Sequence, residues 1–333
     1  MQNNKNLISI CIPTYNRALY LYLSINSALN QNDQHYEIVI VDDGSTDDTK
    51  KVIRQFNNSK INYIRKNHTN APDTRNRCIK ESNGEYILWL DSDDILEPDL
   101  LPRFRRKLTE FPDLEVCYGD ITPFGNLGTL RAKTITYKDY YGRNTELLSE
   151  MISGNKIPNP GTFIKKKLFD RTGVYDIHFK RAHDYEFWTR AALLATFKHI
   201  GGISVQWRWH ESNMSAGNKK LDTSYESLIL SNLINQHPIE KLFPFFDWNN
   251  RNFATFLANG EIAKMFLVWN NIDKYIYHIN NSITAIFPTI SLPDNKSLKL
   301  KLISKCYFDI FNQTKSNYFF EMAQTALNVS RII

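Results

Sequence analysis

Three carboxylates fall within four positions at Asp91-Ser92-Asp93-Asp94, directly after the apolar run Ile87 to Leu90. Two Asp side chains one residue apart can turn toward the same hard cation. Mg2+ and Mn2+ prefer carboxylate oxygen and complete their shells with phosphates. The stretch therefore offers a metal site that holds a phosphorylated ligand; the plain alternative is a solvated acidic turn ahead of a helix that Pro98 opens. A second pair, Asp42-Asp43, ends the apolar run Ile38 to Val41 and leads into Gly44-Ser45-Thr46, which by itself reads as a turn and helix cap. Asp184 precedes or opens a segment with Phe187, Trp188, Ala191 and Leu194 on one side, and His210 follows the alternating run Ile203 to Trp209.

The elements that must position these groups alternate. Buried strands are expected at 7–12, 38–41, 61–64, 87–90 and 114–118. Helices are expected between them at about 18–30, 47–56, 72–82 and 98–110, the second with Asp47 and Asp48 in its first turn and the fourth with Pro98 in its own. This β-α alternation at short spacing predicts an α/β fold: a mainly parallel sheet, helices on both faces and right-handed crossovers. The first, second and fourth strands end in polar residues that can take a ligand, and ligands of open α/β sheets bind at the carboxyl ends of strands. Residues 121–160 read as loops with a helix near 143–152, followed by a short strand at 163–164. Residues 211–222 are polar and small, a hinge or mobile loop, and the pattern beyond 223 is helical. The expected division is 1–218 as the catalytic domain, split at about residue 95 into two halves, and 219–333 as a helical region.

The chain has 333 residues, 41 basic and 35 acidic, for a formal net charge of +6. That mild excess suits an anionic ligand or membrane surface and does not call for nucleic acid. No apolar run approaches the roughly 18 residues of a membrane span, and the short polar start with the apolar run ending at Pro13 reads as a first core strand rather than a signal peptide. Cys11, Cys78, Cys117 and Cys306 are scattered, which suits small buried hydrophobes in a reducing compartment better than a zinc site or a disulfide frame.

From Leu7 to about residue 216, the chain resembles the family-2 glycosyltransferases with their GT-A fold. The resemblance rests on Ile12-Pro13-Thr14-Tyr15-Asn16-Arg17, Val41-Asp42-Asp43-Gly44-Ser45-Thr46-Asp47-Asp48-Thr49, Arg75-Asn76, Gly84-Glu85-Tyr86-Ile87 with Asp91-Ser92-Asp93-Asp94, His183-Asp184, and Arg208-Trp209-His210-Glu211-Ser212-Asn213-Met214-Ser215. It implies a nucleotide-sugar pocket of Pro13, Tyr15, Arg17, Asp42, Asp43, Arg75, Asp91 and Ser92, with Tyr15 as the platform for the base and Asp43 accepting an imide N–H. It further implies a Mn2+ or Mg2+ ion on Asp93 and His210, and Asp184 as the general base of an inverting transfer. Arg208 and Ser215 flank His210 as an anion-binding neighbourhood, Asp94 is structural, and Glu186 is a second candidate for the base.

Each residue also has a plainer reading. Tyr15 can be a packed turn residue, Asp42 a turn residue, Arg75 a solvated helix arginine, His210 a surface histidine and Asp184 a helix cap. The family usually has Glu where this chain has His183, which bears on the acceptor contacts. The Q-x-x-R-W element of processive synthases is replaced by Asp184-Tyr185-Glu186-Phe187-Trp188-Thr189-Arg190, so one sugar per encounter is expected.

The implied donor is a nucleoside-diphosphate sugar, a UDP-sugar first. The implied acceptor is a glycan or lipid-linked glycan such as capsule or lipopolysaccharide, handled in the cytoplasm or at the inner membrane face. Phe243, Phe245, Phe246, Trp248, Phe253, Phe256, Phe266 and Trp269 form either a helical core or a rim for peripheral membrane contact. A sugar nucleotidyltransferase would carry a Gly-rich loop where Pro13 to Arg17 stands. A non-catalytic binding paralogue would lack one of Asp93, Asp184 or His210, and all are present.

Overall fold

The apolar runs that end in carboxylates are strands with both faces covered. In this computed structural model, which describes residues 6–125, 133–210, 222–288 and 292–332, the chain divides into two compact units, Met1–Leu221 and Asp222–Ile333. The first holds eight strands: β1 Ile8–Thr14, β2 Tyr36–Asp42, β3 Ile61–Arg65, β4 Tyr86–Trp89, β5 Ile95–Leu96, β6 Val116–Gly125, β7 Phe163–Lys165 and β8 Phe197–Trp209. Its helices are α1 Ala18–Leu29, α2 Thr49–Arg54, α3 Ala71–Glu81, α4 Leu100–Glu110, α5 Asn144–Glu150, α6 Leu168–Thr172 and α7 His183–Ala191.

The sheet order is β3-β2-β1-β4-β7-β6-β8-β5. The first four strands are parallel, with Ile10 opposite Ile38 and Leu88, so the ends of β1, β2 and β4 open on the same edge. Even-numbered side chains of β1, Ile8, Ile10 and Ile12, pack in one core with Leu21, Ile25 and Ala28 of α1 and Leu101 and Phe104 of α4. On the opposite face Cys11 meets the Ser82 hydroxyl that follows α3, at 3.2 Å. Fully burying such side chains is worth about 1.5–3 kcal/mol each before the entropy cost of ordering them.

The sheet is largely parallel and GT-A-like, but it is not one uninterrupted βα series. The short β7 sits antiparallel between β4 and β6, pairing Ile87 with Ile164 and Val116 with Ile164. The expected fifth strand is therefore two places from β4. A three-residue strand carries too little periodicity to reveal that insertion. Pro98 does not enter a first helical turn; α4 begins at Leu100, and the Pro98 carbonyl accepts from Asn32 N–H at 3.0 Å. Nor does α2 carry acids in its first turn. Asp47 instead accepts from the Ala18 and Thr49 amides, each at 3.0 Å, and ties α1 to α2. The expected helix near 143–152 is α5 followed by a 3-10 turn over Met151–Ser153. The expected loop at 211–222 lies outside the described residues up to 221.

The second unit is helical: α8 Ser224–Gln236, α9 Ile239–Leu242, α10 Arg251–Val268, α11 Ile272–Ile286, α12 Lys296–Thr314 and α13 Asn317–Ile332. Helices α10 and α11 pack together, as do α12 and α13. Phe243, Phe256, Phe266 and Trp269 are buried in the core of this unit, while Phe245 and Phe253 reach solvent. Among the described residues no helix is long and apolar enough to cross a membrane.

Candidate functional site

The ends of β1, β2 and β4 line one cleft of about 400 Å³. Its walls include Pro13, Tyr15, Arg17, Asp43, His68, Asn70, Thr74, Arg75, Asp91, Ser92, Asp93, Lys180 and Trp207. Asn16 binds the loops after β1 and β2 to each other. Held in the left-handed region at φ 51°, it donates its amide to Ser45 Oγ at 2.9 Å and accepts from Thr46 N–H at 2.8 Å.

The two acids after β2 have different surroundings. Asp42 is buried and committed: Oδ1 accepts from Ser45 N–H and Oδ2 from the Tyr63 hydroxyl, both at 2.8 Å. Partial burial of the Tyr63 phenol and its hydrogen bond to Asp42 push it up to about 12. Asp42 thus shapes the turn and does not line the cleft. Asp43 does line it. Its Oδ1 meets the Lys66 ammonium and accepts from Thr69 N–H at 3.0 Å, while Oδ2 lies 2.9 Å from His68 Nδ1, whose hydrogen bond goes to the Asp43 carbonyl at 3.1 Å. Gly44, at φ +79°, makes this closeness workable: a Cβ there would stand 2.9 Å from the backbone nitrogen of His68. The Tyr15 ring, beside Asp43, stacks on His68 with centroids 4.0 Å apart.

Arg75 on α3 is no solvated surface arginine. It is buried over the Trp89 ring, donates to Asp91 Oδ1 at 2.5 Å and donates Nε–H to His183 Nε2 at 3.2 Å. With its amide oxygen turned toward the guanidinium, Asn159 accepts from both terminal nitrogens at 2.9 Å. Burial and the adjacent guanidinium press the His183 imidazole down to about 3, so it stays neutral and acts as an acceptor toward Arg75.

Asp93 stands where two elements converge on the β4 turn. His210 Nε2 is 3.0 Å from its Oδ2, and Arg17 Nε is 3.4 Å from the same oxygen. The His210 ring stacks on Tyr20 of α1. Beside it Arg208 donates Nε–H to the Asp93 carbonyl and its backbone N–H to Asp94 Oδ1, both at 2.8 Å. Asp94 is fully buried; desolvation and the charges of Asp91 and Asp93 hold its carboxyl well above the usual carboxylate range. It faces the scaffold, not the cleft. Among the described residues no group of three or more His, Cys, Asp or Glu is arranged around a common point. Asp93 and His210 still fit a Mg2+ or Mn2+ ion chemically. One carboxylate oxygen and one imidazole nitrogen suffice when phosphates and water supply the remaining positions.

Asp184, the second residue of α7, lies in a neighbouring cavity of about 220 Å³. Tyr137, Asn155, Ile157, Pro158, Asn159 and Trp207 are among its other walls, and Trp207 also lines the cleft. Asn155 Nδ2 donates to Asp184 Oδ2 at 3.0 Å. Burial raises the Asp184 carboxyl above its ordinary value, against the lowering pull of the Tyr185 backbone amide and of Arg75. Glu186, the second candidate for a base, is paired with Arg190 at 2.7 Å.

Of the residues singled out in the sequence, Pro13, Tyr15, Arg17, Asp43, Arg75, Asp91, Ser92 and Asp93 therefore share the cleft. His210 contacts its edge through Asp93, Asp184 sits in the adjoining cavity and Asp42 lies beneath. Ser215 is outside the described residues. Lys66, His68, Asn155 and Trp207 were missed. The strand alternation Gln206-Trp207-Arg208-Trp209 hints at Trp207, but nothing near Lys66 or His68 signals a site before Asp43 is placed opposite them.

The profile of glycosyl transferase family 2 matches residues 9–172. Over 227 residues the chain is 30% identical to a chondroitin synthase of Escherichia coli, covering 66% of this chain and 31% of that protein. Over 294 residues it is 28% identical to an uncharacterized glycosyltransferase of Rickettsia felis, covering 85% of this chain and 48% of that one. The chain thus spans less than half the length of these curated relatives. Among solved structures it is similar to residues 1–349 of S. aureus TarS in complex with UDP-GlcNAc, with a TM-score of 0.55 and 18% identity over 87% of this chain and 95% of that one. At that identity the likeness is one of fold.

Proposed function

We propose that this chain, whose residues 9–172 form a glycosyl transferase family 2 domain, transfers a sugar from a nucleoside-diphosphate donor to an acceptor hydroxyl with inversion. One observation carries the reading: three parallel strands deliver Tyr15, Asp43 and the Asp91–Asp93 turn to one cleft, and a cavity holding a carboxylate of raised pKa adjoins it across Trp207.

The donor base lies against Tyr15, whose flat face suits a nucleobase. Asp43, an acceptor only, selects an imide N–H such as that of uracil, which favours a UDP-sugar. The Arg75 guanidinium, fixed by Asp91 and His183, offers positive charge toward the diphosphate or the sugar, and Asp91 faces the sugar side. Asp93 and His210 would hold a divalent cation, which when bound supplies positive charge against the departing diphosphate.

The acceptor occupies the smaller cavity. Asp184 takes the proton of its hydroxyl, the oxygen forms a bond to the anomeric carbon from the face opposite the diphosphate, and the electron pair of the breaking C–O bond leaves with the diphosphate. Attack from the opposite face inverts the centre. A raised pKa improves Asp184 as a base, and the Asn155 hydrogen bond fixes its orientation. The likeness to a chondroitin synthase supports a glycan or lipid-linked glycan as acceptor. We place this work in the cytoplasm or at the inner membrane face.

A thermal-shift screen of UDP-, GDP- and dTDP-sugars with Mn2+ tests the reading. A donor that binds the folded state raises the melting temperature with concentration. Indifference to every nucleotide sugar at millimolar concentration refutes it.

A further inference from the structure

We propose that His68 is a placeholder for the donor's nucleobase, and that a donor enters by displacing it. The inference rests on reading the cleft as a nucleotide-sugar site and adds how that site is occupied before the donor arrives.

His68 reproduces two properties of the expected base together. Its flat ring lies on Tyr15, with centroids 4.0 Å apart and planes 18° apart. Its Nδ1 stands 2.9 Å from Asp43 Oδ2 and 3.1 Å from the Asp43 carbonyl, two acceptors, so Nδ1 carries a proton and donates it. A uracil imide would present the same N–H to the same carboxylate.

The spacing decides between a clamp and a placeholder. Aromatic rings in direct contact keep their centroids about 4.5–7 Å apart. Two rings holding a base between them would stand well beyond one such contact, and these stand 4.0 Å apart. The base and the imidazole therefore compete for one face of Tyr15.

The surroundings let the imidazole leave cheaply. Its side chain is 51% exposed, on the connection between β3 and α3. That connection is held by other bonds: Lys66 N–H to the Asp42 carbonyl at 2.9 Å and Thr69 N–H to Asp43 Oδ1 at 3.0 Å. Lys66 also remains on Asp43 Oδ1 when His68 departs, so the carboxylate keeps a counter-charge while Oδ2 becomes free. Side-chain rotation alone exchanges one planar N–H donor for another.

Apparent affinity for a donor is reduced by the fraction of molecules in which the placeholder is seated. A stacked aromatic contact is worth a few-fold to tenfold in an equilibrium constant. Isothermal titration of UDP with Mn2+ into wild type, His68→Ala and His68→Phe is the test, with inorganic pyrophosphate as the base-free control. His68→Ala should bind UDP roughly 3- to 10-fold more tightly than wild type, and His68→Phe, which keeps the ring but not the N–H, should fall between them. Pyrophosphate affinity should be the same in all three.

Weaker or unchanged UDP binding in His68→Ala overturns the placeholder while leaving the nucleotide site standing. So does a gain shared equally by pyrophosphate, which would mark a general electrostatic effect. If UDP binds none of the three proteins, the nucleotide reading and the placeholder fall together.

Discussion

Replacing Asp184 by Asn should lower turnover while raising stability at neutral pH. Asn keeps the volume of Asp and can still accept from Asn155 Nδ2, which now meets Asp184 at 3.0 Å, so the cavity wall is preserved. What disappears is the proton acceptor. Loss of a positioned base costs about 10²- to 10⁴-fold, or roughly 3–5 kcal/mol of transition-state stabilisation. The donor cleft is built without Asp184, so the donor KM should stay within about twofold of wild type.

The stability arm follows from the direction of the Asp184 shift. Burial lifts its folded pKa above the unfolded value, so the native state binds the extra proton between those two values. Ionisation therefore destabilises the native state, and wild-type stability from this group falls as pH rises through that window. Asn cannot ionise. Its advantage over wild type should be present at pH 7.5 and absent below the ordinary carboxylate range.

Single-turnover transfer and urea unfolding at pH 7.5 and pH 3.5 measure both arms. The acid limb of the wild-type rate profile should lie above the ordinary carboxylate range. A kcat within tenfold of wild type, or lower stability at neutral pH, refutes the reasoning.

Other substitutions probe the supports of the site. His183, neutral in the fold with a pKa pressed to about 3, regains an ordinary pKa near 6.5 when unfolded. Stability from this group is therefore lost as pH falls below about 6.5, by about 2 kcal/mol at pH 5. In urea titrations at pH 7.5 and 5, His183→Gln should lack that drop; equal pH slopes in both proteins would refute the assignment. Asp93→Asn should leave UDP affinity indifferent to Mn2+, read by calorimetry with and without the ion; a retained Mn2+ effect would move the metal elsewhere. Gly161→Ala should cost about 2–4 kcal/mol, because φ is +74° and the new Cβ would stand 2.5 Å from Ser204 Oγ. An unchanged urea midpoint would contradict it.

The cleft at the ends of β1, β2 and β4 was legible because chemistry and burial share short stretches of chain. Ile8 to Ile12, Ile38 to Val41 and Ile87 to Leu90 are buried on both faces and lead into residues that line the cleft, so strands and site residues announce each other. The expected helix at about 72–82 is α3, whose start is capped by the Asn70 side chain accepting from Asp73 N–H. What escaped depends on distant partners. Only the placement of β7 shows that β6 does not neighbour β4, and β7 has three residues. The β8 strand starts at Phe197 and passes through Gly201 and Gly202, which read as a break. The depth of Arg75 comes from Asp91, Asn159 and His183, residues up to 108 positions away, so its local sequence looked like an ordinary polar helix.

The short β5 strand has a consequence for the order in which the site matures during synthesis. Its partners are Val205 and Gln206, paired with Leu96 and Ile95, and the adjacent Asp94 carboxylate takes its hydrogen bond from Arg208. The parallel strands β1 to β4 can meet as soon as the first ninety or so residues have left the ribosome. The acidic turn that follows them must wait for more than a hundred further residues before its strand and its buried acid find partners. Contacts of such long sequence separation form slowly. A nascent chain stopped before β8 would thus carry paired β1 to β4 strands and an unfinished Asp91–Asp94 turn, and the turn would be completed with the last strand.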